Sequence, residues 1–555
     1  MTLERVTKNY YSIIQGVRLM EIKAIDHNVN IIAMQKNGKN YGMCCAWCTQ
    51  AGADKLICCV GPQSTTGQAL EKGDIVGFSN LNKSQMMIAF QLGDLQKHSA
   101  DTDKLAGVDY SVDDGAILIS GARTELKCQV IDILHLPGIE AENVLYLQML
   151  SEKENGGDGS YTVRFHLRLD QKIDGQKLRS ALDKTARRYP YFCVSLKRNE
   201  REFYYEINDR PVALLHTNKA ITLGSSETNG HIWAVCYDGE DLFIDYFHGR
   251  SDGTGMYALI ATLLYHYFDE QAIPGIKTLD TPISEEETHD PVEDLPLLDL
   301  SKVSFPASPK ALNLMKASGL EHVNGKGLIL KLMIPEESFL PFMRSNDGTP
   351  GIMLSVLIAR AIERVHPQHE APLVSNYVVN ARPMLKADET FHNCTNRVVF
   401  HYDDRIRRMP LKRQCTVYRG KTFIQADEET IVQGMTVAGS MAQMILDLPD
   451  FSTKAKIASQ AMAGTYDATT YIVSYVGRWK YPQLGRHIRE FWTETPVGPF
   501  PLIEVAAVNG NIFVSFLQPF QDRRYYDALL DELKENGLEY VEYGMAPVCV
   551  ADIKI

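Results

Sequence analysis

The sequence predicts a multidomain protein in which a small β-barrel precedes a larger α/β region built as two lobes. Three observations carry this expectation. The chain has 555 residues, too many for one hydrophobic core, so two or three domains are expected. Residues 1–150 alternate short apolar runs with turn residues, the texture of a small barrel. After the polar, glycine-bearing stretch Ser151–Ser160 (SEKENGGDGS), a natural linker, strand-like and helix-like segments alternate instead.

In the first region, strands are expected at Asn30–Gln35, Gly42–Thr49, Lys55–Val60, Asp74–Leu81, Ala116–Ser120 and Glu125–Ile133. Gln63–Leu70 and Ser84–Leu92 read as helical or irregular. Beyond the linker, Tyr161–Leu169 alternates as a strand and Gly175–Arg188 has helical periodicity. Leu242–Phe247 is an apolar strand and Met256–Phe268 (MYALIATLLYHYF) a buried helix. Thr278–Pro309, rich in Pro, Asp, Glu and Ser, reads as a surface crossing between the lobes. Lys326–Ile334 is a strand, Gly351–His366 a buried helix, and Ser375–Leu385 opens with an apolar strand. Further strands fall at Thr470–Val476, Leu502–Ala507 and Asn511–Leu517, and a helix at Asp522–Glu535. The expected domains are therefore 1–150 (barrel), 151–160 (linker), 161–325 (first lobe) and 326–555 (second lobe).

Composition narrows the function. Apolar residues at 45% and charged residues at 23% are ordinary for a globular protein, and the net charge of −12 argues against nucleic acid or an anionic membrane surface as partner. No run of about 18 apolar residues suggests a membrane span, and the N-terminal residues lack the pattern of a secretory leader. Eleven cysteines, an odd and scattered set, do not resemble a disulfide framework. A reducing cytoplasm is the expected location. Cys44, Cys45 and Cys48 invite a metal reading. Residues three apart in a strand point to opposite faces, however, so no metal is expected there.

The chemistry-bearing stretch is Asp241–Gly255, DLFIDYFHGRSDGTG. His248 stands at the end of an apolar strand, with Asp252 and Gly253 four and five residues on. Histidine titrates near neutrality and suits a general base. The spacing His248-x-x-x-Asp252-Gly253 resembles the signature of the acyltransferase superfamily of chloramphenicol acetyltransferase and peptide-synthetase condensation domains. Ser375–Leu385 (SNYVVNARPML) resembles the family segment whose arginine, here Arg382, pairs with the motif aspartate. Tyr471–Trp479 (YIVSYVGRW) resembles the family strand beside the catalytic tunnel.

This resemblance implies a two-lobed, CoA-dependent-acyltransferase-like fold. An acyl thioester, on coenzyme A or a carrier protein, and a small-molecule alcohol or amine acceptor would enter from opposite ends. His248 would be the base, Asp252 and Arg382 the structural pair, and Ser474 with the backbone near Gly253 the oxyanion donors. Phe247 occupies the first position of the double histidine of condensation domains. That departure favours a stand-alone enzyme using acyl-CoA.

Residues 30–150 resemble the flavin-reductase-like split barrel, through GKNYGMCCAWCTQAGADKLICCVGPQSTTGQAL, FSNL and AFQLG. The resemblance implies FMN with its ring along the strand Met43–Thr49, which holds Cys44, Cys45, Ala46 and Trp47, its ribityl phosphate held by hydroxyls near Thr49 and near the turn Ser64, Thr65 and Thr66, and a homodimer. Ala46 replaces a usual hydroxyl residue, and in DILHLPGIEAENV only His135 remains of an aspartate–histidine pair. Both an FMN site and a barrel kept for dimerisation or substrate access are consistent with this pattern. Two other functions stay open: an FMN-dependent oxidoreductase whose C-terminal part binds substrate, and a non-catalytic binding protein. Glu504, His392 and His487 receive no role.

Overall fold

Hairpin chemistry opens the first unit. Asn37 and Gly38 adopt φ of 51° and 74°, the left-handed pair favoured in two-residue hairpins. They join β1 (Asn30–Lys36) to β2 (Lys39–Cys45) in antiparallel register. The second strand thus begins three residues before the expected Gly42, because the turn sets its start. The computed structural model describes residues 29–45, 48–50, 55–58, 60, 64–93, 103–131, 161–198, 203–270, 273–303, 310–448 and 450–554. They form two units, one within Val17–Leu136 and one within Pro137–Ile555.

The first unit continues with β3 (Cys48–Gln50) and β4 (Leu56–Cys58), which pair with each other, then α1 (Thr65–Ala69), β5 (Ile75–Asn80) and α2 (Met86–Leu92). Next come β6 (Tyr110–Asp113), β7 (Ala116–Ile119) and β8 (Thr124–Gln129). The sequence reading lacks β6. A second left-handed turn, Asp114–Gly115 (φ 54° and 89°), creates it by folding the chain back onto β7. Strand order is β6-β7-β1-β5-β8, with β2 also on β1. β1 pairs with β5 through Asn30–Ala33 and meets β7 at Met34, so the sheet curls in a barrel-like manner. At Gly77 of β5 a Cβ would lie 1.9 Å from the Ile117 carbonyl oxygen, so only glycine lets β5 and β7 approach this closely.

In the second unit β9 (Thr162–Leu169) is followed by α3 (Gly175–Arg188), β10 (Val194–Arg198), β11 (Phe203–Ile207), β12 (Leu214–His216) and β13 (Thr222–Leu223). Then come β14 (Trp233–Asp238), β15 (Asp241–Phe247), α4 (Gly253–Phe268), β16 (Leu328–Pro335), α5 (Pro350–Val365), β17 (Leu373–Asn380) and β18 (Thr395–Tyr402). The helices α6 (Leu411–Gln425), α7 (Glu428–Leu446) and α8 (Phe451–Asp467) precede β19 (Tyr471–Arg478), β20 (Ile488–Glu494), β21 (Leu502–Val508), β22 (Asn511–Gln518), α9 (Arg524–Glu535), β23 (Val541–Pro547) and β24 (Asp552–Ile553).

The sequence reading leaves α6–α8 unassigned. Their apolar stripes are thin: α6 buries only Gln414, Cys415 and Tyr418, so periodicity is weak. The starts of α7 and α8 are nevertheless written in side chains that accept from the first turn, Asp427 from the Thr430 N–H and Asp450 from the Thr453 N–H. The Thr278–Pro309 crossing contains a helical turn, Glu285–Thr288, anchored by the buried Arg188–Glu287 pair at 2.8 Å; residues 304–309 lie outside the described residues.

Two sheets organise this unit. A five-stranded sheet runs β12-β14-β15-β9-β20, and a seven-stranded sheet runs β18-β17-β19-β21-β22-β16-β23. Sheet membership does not follow chain order: β20 leaves the C-terminal half to pair with β9, and β24 pairs with β13. One core lies between the seven-stranded sheet and α5 and α9, with Leu357, Ile503, Val514 and Leu529 fully buried. A second joins both sheets with α3 and α4, through Phe165, Leu259, Trp492 and Phe513. Each such side chain contributes about 1.5–3 kcal/mol on burial. The strand that ends at His248 and the helix that begins at Gly253 both belong to this second core.

Candidate functional site

The site begins where β15 runs out. Its apolar residues Leu242, Ile244 and Tyr246 face the second core, and the strand delivers His248 half-buried at the strand end. The His248 N–H donates to the Tyr161 carbonyl at 2.9 Å, and the His248 carbonyl accepts from Asn393 Nδ2 at 3.0 Å. The Tyr246 ring lies 6.2 Å away, centroid to centroid. The next residues are pinned one by one. Arg250 donates from Nε and Nη2 to the Tyr191 carbonyl at 3.0 and 2.7 Å and stacks over the Tyr191 ring. Ser251 Oγ donates to the Phe391 carbonyl at 2.6 Å.

Asp252 closes the turn and starts the helix. Its Oδ1 accepts from the Gly255 N–H at 3.0 Å, which makes it the N-cap of α4. The helix therefore opens at Gly253 rather than at the expected Met256. The same carboxylate receives two guanidinium bonds, Arg382 Nη1 to Oδ2 at 2.8 Å and Nη2 to Oδ1 at 2.9 Å, and the Cys394 N–H at 2.9 Å. Both partners are buried, with side chains 3% and 1% exposed.

Arg382 stands just past the end of β17 and opens a short helical turn, Arg382–Leu385. It donates further to the carbonyls of Thr390 and His392 and to Asn380 Oδ1. Burial opposes its charge, yet the Asp252 carboxylate outweighs that and raises Arg382 above the ordinary guanidinium value.

Two glycines are fixed by space. A Cβ on Gly253 would come within 3.0 Å of Val476, and one on Gly255 within 2.3 Å of Ser251 Oγ and 2.7 Å of the Phe391 carbonyl oxygen. Gly255 was not singled out in the sequence; its signal is the N3 position of the helix that Asp252 caps. Ser474 lies on β19, two residues before Val476, and is paired in register with Glu504 of β21. Burial pushes the Glu504 carboxyl up to about 7, with the Ser474 hydroxyl pulling partly back. Glu504, which the sequence leaves without a role because one acid in an apolar strand looks like any other, is thus a titratable group of this region.

His248, Asp252, Gly253 and Arg382 thus gather around one turn, and Ser474 stands on the strand whose Val476 borders Gly253. Of the two histidines left without a role, His392 bonds the Thr288 carbonyl at 2.8 Å, and His487 contacts Asp170 and Glu270.

In the first unit, Cys44 is half-buried and Cys45 buried on β2. Ser64 caps α1 by accepting from the Gly67 N–H at 2.9 Å; Thr65 is half-buried and Thr66 buried. Ala46, Trp47, His135 and the Thr49 side chain lie outside the described residues. Cys45 and Cys48 do not stand apart as strand geometry alone expects. β2 ends at Cys45 and β3 begins at Cys48, and their sulfurs approach to 3.4 Å. Among the described residues no three His, Cys, Asp or Glu side chains form a metal-binding group, and no helix is long and apolar enough to cross a membrane.

Residues 22–146 match the family model of the flavin reductase like domain. No curated protein matches the sequence. Among solved structures, the chain is similar to TRI101 of F. sporotrichioides complexed with Coenzyme A and T-2, at 13% identity and TM-score 0.47, covering 69% of this chain and 96% of that one. It is also similar to TRI3, the trichothecene 15-O-acetyltransferase of Fusarium sporotrichioides, at 11% identity and TM-score 0.46, covering 72% and 94%. The starter condensation domain of rhizomide synthetase RzmA matches at 10% identity and TM-score 0.47, covering 72% and 92%.

Proposed function

We propose that this chain is an acyltransferase that moves an acyl group from a thioester, acyl-CoA, to an alcohol or amine, with His248 as general base. The observation that carries the reading is the buried, two-point Arg382–Asp252 pair, which fixes the turn following His248. Pre-organisation of this kind is what general-base catalysis needs. His248 takes the acceptor's proton as its oxygen or nitrogen attacks the thioester carbonyl. The tetrahedral oxyanion meets the backbone N–H near Gly253 and the Ser474 hydroxyl. The carbon–sulfur bond then breaks, and His248 returns the proton to the thiolate. In this reading residues 161–325 and 326–555 are the two lobes of the acyltransferase, joined by the linker 151–160 to a split barrel at 1–150.

For the barrel the reading is an FMN site, supported by the match at 22–146. The half-buried hydroxyls of Ser64 and Thr65, at a turn that opens into α1, fit a phosphate monoester, which takes hydroxyl and N–H donors. Cys44, Cys45, Ala46 and Trp47 would line the ring, and Thr49 and Thr66 would join Ser64 and Thr65 in holding the phosphate. FMN, when bound, would supply two-electron redox chemistry. A cytoplasmic homodimer formed through the barrel completes the proposal. Thiol release from acetyl-CoA across a panel of alcohols and amines tests the transferase. Equal release by parent and His248→Ala would remove His248 as the base. Flavin absorbance of the purified protein, or its absence after added FMN, tests the barrel.

A further inference from the structure

Seven carboxylates are buried among the described residues: Asp245, Asp252, Glu287, Glu336, Glu494, Glu504 and Glu532. Six hold an arginine or lysine. Arg164 pairs with Asp245, Arg382 with Asp252, Arg188 with Glu287, Arg478 with Glu336, Lys331 with Glu494, and Arg360 with Glu532. Glu504 is the exception. It is 9% exposed and forms no ion pair with the described residues, and the Ser474 hydroxyl, its partner in register, favours its charged form. A buried acid kept without a cation is costly to a fold unless something else brings the charge.

Its position says what that could be. Ser474, Glu504, Ser515 and Lys331 occupy one register row across β19, β21, β22 and β16. Lys331 at one end is bound to Glu494 at 2.9 Å and cannot serve Glu504. Tyr246 of β15 and Tyr257 of α4 both pack on Phe165, which borders Gly253 as Val476 does, and the Glu504 charge acts on both tyrosines. The Tyr257 hydroxyl is buried with no hydrogen-bond partner, and its ring packs on Phe165, Trp479 and Phe491. An unpaired acid, an unpaired hydroxyl and aromatic walls together complement an ammonium group, which donates to the first two and sits well against the third. Val476, two residues beyond Ser474, borders Gly253, so this cluster adjoins the His248 turn.

We propose that Glu504, with the Tyr257 hydroxyl, binds a protonated amino group of the acceptor, so that the acceptor class is amine-bearing; this rests on the acyl-transfer reading for the word acceptor, not for the site itself. Glu504 is then a specificity-determining residue.

The test is calorimetric titration of the full-length protein at pH 8, without donor, using matched pairs: tryptamine against tryptophol and 3-phenylpropylamine against 3-phenylpropanol. The expected result is at least tenfold tighter binding of the amine in one pair. Glu504→Gln should abolish that preference, and Tyr257→Phe, which adds no atom, should weaken amine binding several-fold. Amines that bind no better than their alcohols, or a preference that survives Glu504→Gln in a folded variant, would overturn the site. If Glu504→Gln does not fold, unchanged amine binding by Tyr257→Phe overturns it instead. Thiol release is read separately. Amine preference without release from any acceptor sinks the transferase and leaves the site, whereas release to alcohols with no amine preference does the reverse.

Discussion

Arg382 holds Asp252 with both terminal nitrogens, at 2.8 and 2.9 Å, across 130 residues of chain. The same aspartate caps α4 and accepts the Cys394 N–H, so one carboxylate ties together the turn, the helix and the segment after β17. Removing either partner leaves the other charge buried and unpaired, at a cost of about 3–5 kcal/mol. Asp252→Asn and Arg382→Ala should each lower stability by that order in urea unfolding. The double variant should lose much less than the total of the two; full additivity would mean that they do not act as a unit.

His248 contributes its backbone to the fold through Tyr161 and Asn393, bonds that survive truncation of the ring. His248→Ala should therefore melt close to the parent while thiol release from acetyl-CoA falls by about 10²–10⁴-fold. A large drop in melting temperature with little loss of turnover would assign the ring a structural role.

Glu504 should leave a pH signature on stability. Its carboxyl is raised from 4.5 to about 7 in the fold, so between those values the folded state binds more protons than the unfolded state and stability falls as pH rises. The penalty is absent below about 4.5 and complete above about 7, where it reaches about 3 kcal/mol. The groups facing it, Ser474, Ser515, Tyr246 and Tyr257, supply no positive charge to offset this. Glu504→Gln should match the parent at pH 4.5 and be the more stable protein at pH 8, measured by denaturant unfolding at both values. Equal stabilities at pH 8 would show that the carboxyl is not desolvated.

Gly255→Ala adds a methyl group 2.3 Å from Ser251 Oγ and 2.7 Å from a backbone oxygen. Backbone cannot rotate away as a side chain can, so the turn must shift, at about 1–3 kcal/mol. Thiol release should fall more than tenfold, because His248 lies in the segment that moves. Normal turnover in a stable Gly255→Ala protein would mean that the turn is looser than its hydrogen bonds imply.

In the first unit, Ser64→Ala removes the side-chain cap of α1 and should cost about 1 kcal/mol. Ser64→Ala with Thr65→Ala should weaken FMN binding at least tenfold, since a hydrogen bond to a charged group is worth about 1.5–3 kcal/mol. Fluorescence titration with FMN reads this directly, and an unchanged affinity would move the phosphate elsewhere.

Much of this protein was legible in short stretches of sequence. The strand into His248, the spacing to Asp252 and Gly253, the helix Gly175–Arg188 and, from Met256 on, the one ending at Phe268, and the alternating strands of the first unit all rest on forces acting within a few residues: periodicity, caps and turns. Local signals also marked what the reading missed, the Asn37–Gly38 and Asp114–Gly115 turns and the capping aspartates of α7 and α8. Tertiary structure alone decided the rest. That β20 joins the sheet of β9, and that Glu504 alone among the seven buried acids of the described residues goes without a cation, are consequences of packing between distant segments. Burial and pairing are properties of neighbours in space, and the electrostatic character of a carboxylate is set by those neighbours rather than by the residues beside it in the chain.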